Sequence, residues 1–243
     1  MRIVVVGGTG LVGGNVVRRL MAGGHEALPA SPSTGVDTIT GKGLAEIMAG
    51  AAAVIDVSNA PVWEDDAVRE FFTTSTRNQL AAERDAGVGH HLAVTIAGAD
   101  LLPDSGYLRA KVAQEAEIEG GGVPYTSLRA TQFLEFLPQI VEAGAEGDQV
   151  RLPTGLMQLV GSDDVAAAAA ELATGAPANG RVELGGPETM GLDDWARRLF
   201  AATGDRRTVV GDPHARYFGT ELKGGELTAG PGARIGAVTF DTW

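Results

Sequence analysis

The chain alternates short apolar runs with longer segments whose apolar residues recur every three to four positions. The runs predict strands at Arg2–Val6, Glu26–Pro29, Thr38–Thr40, Val54–Val57, His91–Ile96 and Thr126–Ala130. The helical spacing predicts helices at Leu11–Ala22, Leu44–Ala49, Ala67–Ala86 and Tyr107–Ile118. Strand, helix and strand in turn is the pattern of βαβ units and hence of a parallel sheet. The nearly unbroken apolar character of the runs at 2–6, 54–57 and 91–96 is expected when helices cover both sheet faces. Right-handed crossovers with short loops then lead to an α/β fold with a doubly wound parallel sheet.

Beyond residue 130 the pattern loosens, because Pro138, Pro153, Pro177, Pro187, Pro213 and Pro231 divide it into short pieces. Residues 161–164 (Gly-Ser-Asp-Asp) supply capping groups for a helix from about Val165, and Leu192–Thr203 reads as another amphipathic helix. Asp163 and Asp164 are read as cap residues favoured by the helix dipole rather than as catalytic carboxylates. The expected division is an α/β core over 1–130 and a mixed segment over 131–243 that completes that core.

Composition narrows the function classes. The chain is 44% hydrophobic and 21% charged, enough apolar content for a packed core. It has no cysteine, and His25, His90, His91 and His214 form no spaced ligand set, so no metal is expected. A formal net charge of -12 disfavours a nucleic acid as the main ligand, since phosphate neutralisation needs basic excess. The apolar run after Met1-Arg2 stops at Gly7-Gly8, too short for a signal segment, and no stretch approaches the ~20 apolar residues of a membrane span. The expectation is a cytoplasmic protein acting on a small-molecule substrate, with its oligomeric state left open.

The most informative motif follows the first strand. In Gly7-Gly8-Thr9-Gly10-Leu11-Val12-Gly13, Gly7 makes the tight turn, Gly10 lets the backbone approach a pyrophosphate, and Gly13 lets the helix pack on the sheet. Thr9, Leu11 and Val12 bring further groups of the turn and helix mouth, where unpaired N–H groups and the dipole favour phosphate. A strand before and a helix after make this a Rossmann-type dinucleotide site; no Gly-Lys-Ser/Thr follows, which excludes a P-loop. No acid precedes Asp37 after the second strand, so Ser31, Ser33 and Thr34 are candidates for a 2′-phosphate, with Lys42 as a candidate cation. NADP(H) is favoured on that ground, with NAD(H) the alternative; ordinary turn chemistry also accounts for the serines. Ser58 and Asn59, after the strand at 54–57, are either ribose or nicotinamide contacts or a plain loop.

Tyr107 and Lys111 stand at i and i+4 of a predicted helix and share a face. A nearby ammonium stabilises phenolate, which is expected to lower the phenol pKa toward use as a proton donor. Thr95, near the end of the preceding strand, is a candidate to bind the same oxygen at the sheet edge where such folds place ligands. Phe133 and Phe136 are read as core or as walls of an apolar pocket. His90-His91 reads as a loop pair, and residues 213–218 as a segment over the cleft.

These motifs together resemble the atypical short-chain dehydrogenase/reductases of the NmrA-like group. The resemblance is carried by residues 7–13, by Thr76–Ala82 with Ala86-Gly87-Val88, and by Gly106–Lys111. It continues in Pro124–Ala130 with Phe133, in Ser162–Ala166, and in Leu184–Glu188. It implies an NAD(P)-binding domain topped by a small substrate-binding portion. It also implies that Tyr107 exchanges a proton with a carbonyl oxygen, that Lys111 holds the nicotinamide ribose, and that Thr95 orients substrate. Thr in place of the commoner Ser, and no clear place for the relay asparagine (Asn78 being in a family motif only), are departures that bear on the rate of chemistry. Some relatives are non-catalytic dinucleotide sensors, generally where the tyrosine is missing. Sugar-nucleotide epimerases share the fold and the pair, but with longer chains.

Overall fold

The computed structural model describes residues 1–243. The first half winds as expected: β1 (Arg2–Val6), α1 (Leu11–Ala22), β2 (Glu26–Ala30), α2 (Leu44–Met48), β3 (Ala53–Asp56), α3 (Asp65–Ala86), β4 (His91–Ile96), α4 (Gly106–Gly120) and β5 (Tyr125–Ala130). The second half adds α5 (Leu137–Glu142), β6 (Ala145–Glu146), β7 (Gln149–Leu152), β8 (Leu156–Leu159), α6 (Ser162–Thr174) and β9 (Gly180–Gly185). It ends with β10 (Glu188–Gly191), α7 (Leu192–Thr203), β11 (Thr208–Gly211), β12 (Arg216–Tyr217), β13 (Thr220–Glu221) and β14 (Arg234–Ile235).

Seven strands form one parallel sheet in the order β14-β9-β5-β4-β3-β1-β2. This is a Rossmann-type α/β sheet, with the strand order reversing between β1 and β3. Alternation along β1 divides the core. Ile3 and Val5 pack with Val16 and Leu20 of α1 and Ala166 and Ala169 of α6, whereas Val4 and Val6 pack with Leu44 and Met48 of α2. Pro29 lies on the edge strand β2, where a missing N–H removes no ladder bond on the open side. A third apolar cluster, around Leu137, Met157, Leu192 and Trp195, holds the C-terminal elements to the carboxyl edge of the sheet through Leu108 and Leu102.

Thr38–Thr40 is not a strand. The Asp37 carboxylate accepts the amides of Ile39 (2.8 Å) and Thr40 (3.2 Å), which bends the chain, and Asn78 of α3 donates to the carbonyls of Thr38 and Ile39. α6 starts at Ser162, with Gly161 as its N-cap and no side-chain cap bond. The Asp163 and Asp164 carboxylates accept instead from Asn15 and from the Val238 amide. β9 and β14 extend the sheet from the C-terminal half, where sequence periodicity gives no strand.

Trp195 is fully buried and donates through Nε1 to the Met157 carbonyl at 3.0 Å. Trp195→Ala is expected to cost about 3–5 kcal/mol of stability, measurable by denaturant unfolding. A loss below about 1 kcal/mol would mean that the third cluster does not hold the C-terminal elements.

Candidate active site

The turn after β1 meets the loop after β3 where the strand order reverses. Gly7 has a φ of +77, and a Cβ there would stand 2.9 Å from the Ser58 amide nitrogen. A Cβ on Gly13 would stand 2.2 Å from the Gly7 carbonyl oxygen, so the first turn of α1 closes onto the turn only with glycine present. Gly10 is the N-cap of α1 in extended conformation, and its carbonyl receives the Gly14 amide. The amides of Thr9, Leu11, Val12 and Gly13 are paired with no backbone acceptor. Four unpaired donors at the mouth of a twelve-residue helix form a concave, anion-favouring group whose geometry fits the pyrophosphate of a dinucleotide.

That mouth opens into a cleft of about 1040 Å³ which runs along the carboxyl edge of the sheet. Gly7, Thr9, Gly10, Leu11, Val12 and Gly13 line it, as do Ser31, Ser58, Asn59, Thr95, Tyr107 and Lys111. Ser31 and Ser33 hydrogen-bond to each other through their hydroxyls at 2.8 Å, although Ser33 does not line the cleft. Asp37 lines the same end and Lys42 does not, so no cation stands at the β2 end of the groove. Besides Lys111, the lining cations are Arg151 and Arg216, and Arg151 is paired with Glu146 and Asp212.

Tyr107 lies in the first turn of α4, and its hydroxyl donates to Asn59 Oδ1 at 3.1 Å. Trp63 and Phe218 lie against its ring at centroid distances of 5.4 and 6.0 Å, and Phe72 meets it edge-on. Phe218 sits on the β12–β13 turn with a φ of 45, a left-handed conformation uncommon for an aromatic residue. Burial among these rings pushes the phenol up to about 12. The lowering expected from Lys111 is therefore not present in this arrangement. The reason is the lysine's direction: Nζ donates to the Val94 carbonyl at 3.1 Å and to Gln114 Oε1, and lies 4.3 Å from the centroid of Phe72. Lys111 is only 4% exposed, and burial lowers its pKa to about 8.

Thr95 lines the cleft, yet its hydroxyl donates to Glu115 Oε1 at 2.7 Å. Glu115 is also held by Arg129, whose Nη2 lies 2.6 Å from Oε2. The threonine is thus tied to a buried ion pair rather than turned to the Tyr107 hydroxyl. Of the other candidates, Phe133, Phe136, Arg216, Tyr217 and Phe218 line the outer cleft, and Phe133 stacks on Phe136 at 5.5 Å. His90 and His91 are not a loop pair. Both are buried, His90 against Thr126 and His91, the first residue of β4, against Glu83. Burial works against protonated His91, but the Glu83 carboxylate outweighs it and raises its pKa.

Two side chains at the site's base escape the motif reading. Asp56, the last residue of β3, is 1% exposed and accepts four hydrogen bonds. Gln114 reaches it from α4, whose buried face carries Lys111, Gln114, Glu115 and Ile118 at helical spacing. That run of polar residues at i, i+3 and i+4 on a covered helix is the signal in the sequence that would have found them.

No family model and no curated protein matches the chain. Solved structures do. The protein MoeE5 in complex with UDP-glucose and NAD has a TM-score of 0.78 at 14% identity, covering 99% of this chain and 95% of that one. The triphenylmethane reductase of a Citrobacter species, complexed with NADP(H), has a TM-score of 0.66 at 22% identity over 87% of this chain and 79% of that one. The UDP-glucose 4-epimerase of Thermus thermophilus with NAD has a TM-score of 0.73 at 19% identity, covering 95% and 91%. The chain thus shares the fold of NAD(P)-binding reductases and epimerases, the fold implied by its resemblance to atypical short-chain dehydrogenase/reductases.

Because the atoms that a methyl on Gly13 would meet are backbone, Gly13→Ala is expected to destabilise the protein by about 1–3 kcal/mol. Thermal or denaturant unfolding measures this. An unchanged midpoint would show that the turn has room which this geometry denies it.

Proposed function

We propose that the chain is an NADP(H)-dependent oxidoreductase acting on a small carbonyl, quinone or enone. The observation that carries this reading is the unpaired amide cradle at residues 9–13, opening on the same cleft as Tyr107 and Lys111. In it, Gly7, Thr9, Gly10, Leu11, Val12 and Gly13 hold the pyrophosphate, and Ser58, Asn59 and Lys111 face the nicotinamide ribose. The bound dinucleotide supplies the hydride. Ser31 favours NADP(H) by offering a hydroxyl where NAD-specific sites carry an acid, with Ser33 bonded behind it outside the cleft, while Asp37 nearby supports use of NAD(H) as well.

Tyr107 gives a proton to the substrate oxygen in reduction. With the phenol pushed to about 12, it carries its proton across the working pH range and has one to donate in reduction. Lys111 anchors the ribose from the cleft floor, where its ammonium is held by Val94 and Gln114. Thr95 supports the site from below through Glu115 and comes to substrate only by a change of rotamer. The outer cleft, with Phe133, Phe136 and Phe218 as apolar walls and Arg216 beside them, suits a ring system that carries a polar oxygen.

One specific observation favours a second reading, a non-catalytic NAD(P)-sensing regulator of NmrA type: Thr95 and Lys111 are both engaged with inner partners. Retention of Tyr107 with Lys111 favours the enzyme. Chain length does not separate either from a sugar-nucleotide epimerase, since the match to the Thermus protein covers 91% of that chain.

With NADPH oxidation followed over a panel of quinones, ketones and enones, Tyr107→Phe is expected to lower kcat by about 10²–10⁴-fold and to leave NADPH affinity within about twofold. Full activity in the variant would sink the proton-donor role; inactivity of the parent on every substrate alongside tight NADPH binding would favour the regulator. The reductive kcat/KM is expected to be level below pH 8 and to fall above it, as Lys111 loses its proton near its pKa of about 8. Lys111→Met should abolish that alkaline limb, and an unaltered limb would assign it elsewhere.

A further inference from the structure

Asp56 joins the two halves of the candidate site. Its Oδ1 accepts the Ser58 amide at 2.9 Å and the Ser58 hydroxyl at 2.6 Å. The residue after Ser58, Asn59, is the acceptor for the Tyr107 hydroxyl at 3.1 Å. The other carboxylate oxygen, Asp56 Oδ2, accepts the side-chain amides of Gln79 at 3.1 Å and Gln114 at 3.2 Å. Gln114 then presents its own oxygen to Lys111 Nζ. One carboxylate is therefore one bonded group away from the lysine, and through Ser58 it holds the loop that carries the acceptor of the tyrosine.

We propose that Asp56 and Gln114 are positioning residues of the site, with Asp56 fixing the orientation of the Gln114 amide and Gln114 fixing the Lys111 ammonium for the dinucleotide. This rests on the dinucleotide reading above. The amide of Gln114 has one workable orientation. Turned over, it sets its oxygen against a carboxylate and its NH2 against an ammonium, two repulsive contacts in a region closed to water. The carboxylate is buried without a formal cation in direct contact; all four of its donors are neutral. A buried charge is costly unless hydrogen bonds and a nearby opposite charge offset its desolvation. The charge it faces through Gln114 is Lys111.

The electrostatics agree. Burial lowers the lysine, while Asp56 of β3 and Glu115 of its own helix hold it up. Around these stand Arg129 of β5, paired with Glu115, and the His91–Glu83 pair of β4 and α3, where Asp56 also raises His91. Phe72 and Gln79 of α3 complete the surroundings and carry no charge.

The chain has three lysines, Lys42, Lys111 and Lys223, so their side-chain ε-carbon resonances can be followed by NMR in the intact protein and assigned by single Lys→Arg changes. Lys111 should titrate near 8 in the parent, below the ~10.4 of an ordinary lysine. In Asp56→Asn and in Gln114→Met its midpoint should fall by about one unit, and NADPH affinity should fall about tenfold at pH 9, where the protonated fraction of Lys111 limits binding, and only about twofold at pH 7. Gln114→Met leaves the Asp56–Ser58 bonds in place and keeps the test open if Asp56→Asn folds poorly. If both the lysine midpoint and the affinity are unchanged in folded Gln114→Met, the proposal is overturned, even where melting temperature drops. If the parent binds neither NADPH nor NADH, the dinucleotide reading fails; a shifted lysine midpoint would then uphold the network alone, and an unshifted one would remove both.

Discussion

The site depends on a steric constraint: the β1 turn and the β3 loop approach each other so closely that no side chain fits between them. Gly7 against Ser58, and Gly13 against the carbonyl of Gly7, let the first turn of α1 come down to the sheet edge. From that approach come the unpaired amides, the crevice at the strand reversal, and the course of the chain through Ser58 and Asn59. A methyl group at either glycine pushes apart backbone that the parallel sheet holds in register on both sides.

Around the crevice, polar chemistry is arranged in two buried layers. Asp56 with Gln79, Gln114 and Ser58 forms one, and Glu115 with Arg129 and Thr95 the other. Both are carried by residues that a helix-packing pattern would assign to apolar side chains. α4 buries Lys111, Gln114 and Glu115 on the face it turns to the sheet, and so exchanges hydrophobic packing for hydrogen bonds within a water-poor interior. The result is a lysine with depressed basicity and a tyrosine shielded by Trp63, Phe72 and Phe218, both opening on one cleft.

Local patterning made the first half of the fold legible. β1, α1, β4 and α7 lie where the pattern puts them, because the two strands are short apolar runs, the two helices have one apolar face, and clear breakers stand at their ends. Thr38–Thr40 failed because a carboxylate and an asparagine 40 residues away decide its shape, and period-2 spacing over three residues holds no information about either. β9 and β14 were hidden for a similar reason: short segments join a sheet whose register is set by strands distant in sequence. The glycine turn and the Tyr107–Lys111 pair were legible as motifs. The direction of the Lys111 ammonium was not, since Val94, Gln114 and Phe72 fix it only after packing.

Calorimetric titration of the folded chain with NADPH and with NADH tests the central claim most directly. Saturable one-to-one binding is expected, tighter for NADPH, and weakened when Gly13 is replaced by alanine in protein that remains folded. Heat indistinguishable from dilution for both dinucleotides would contradict it.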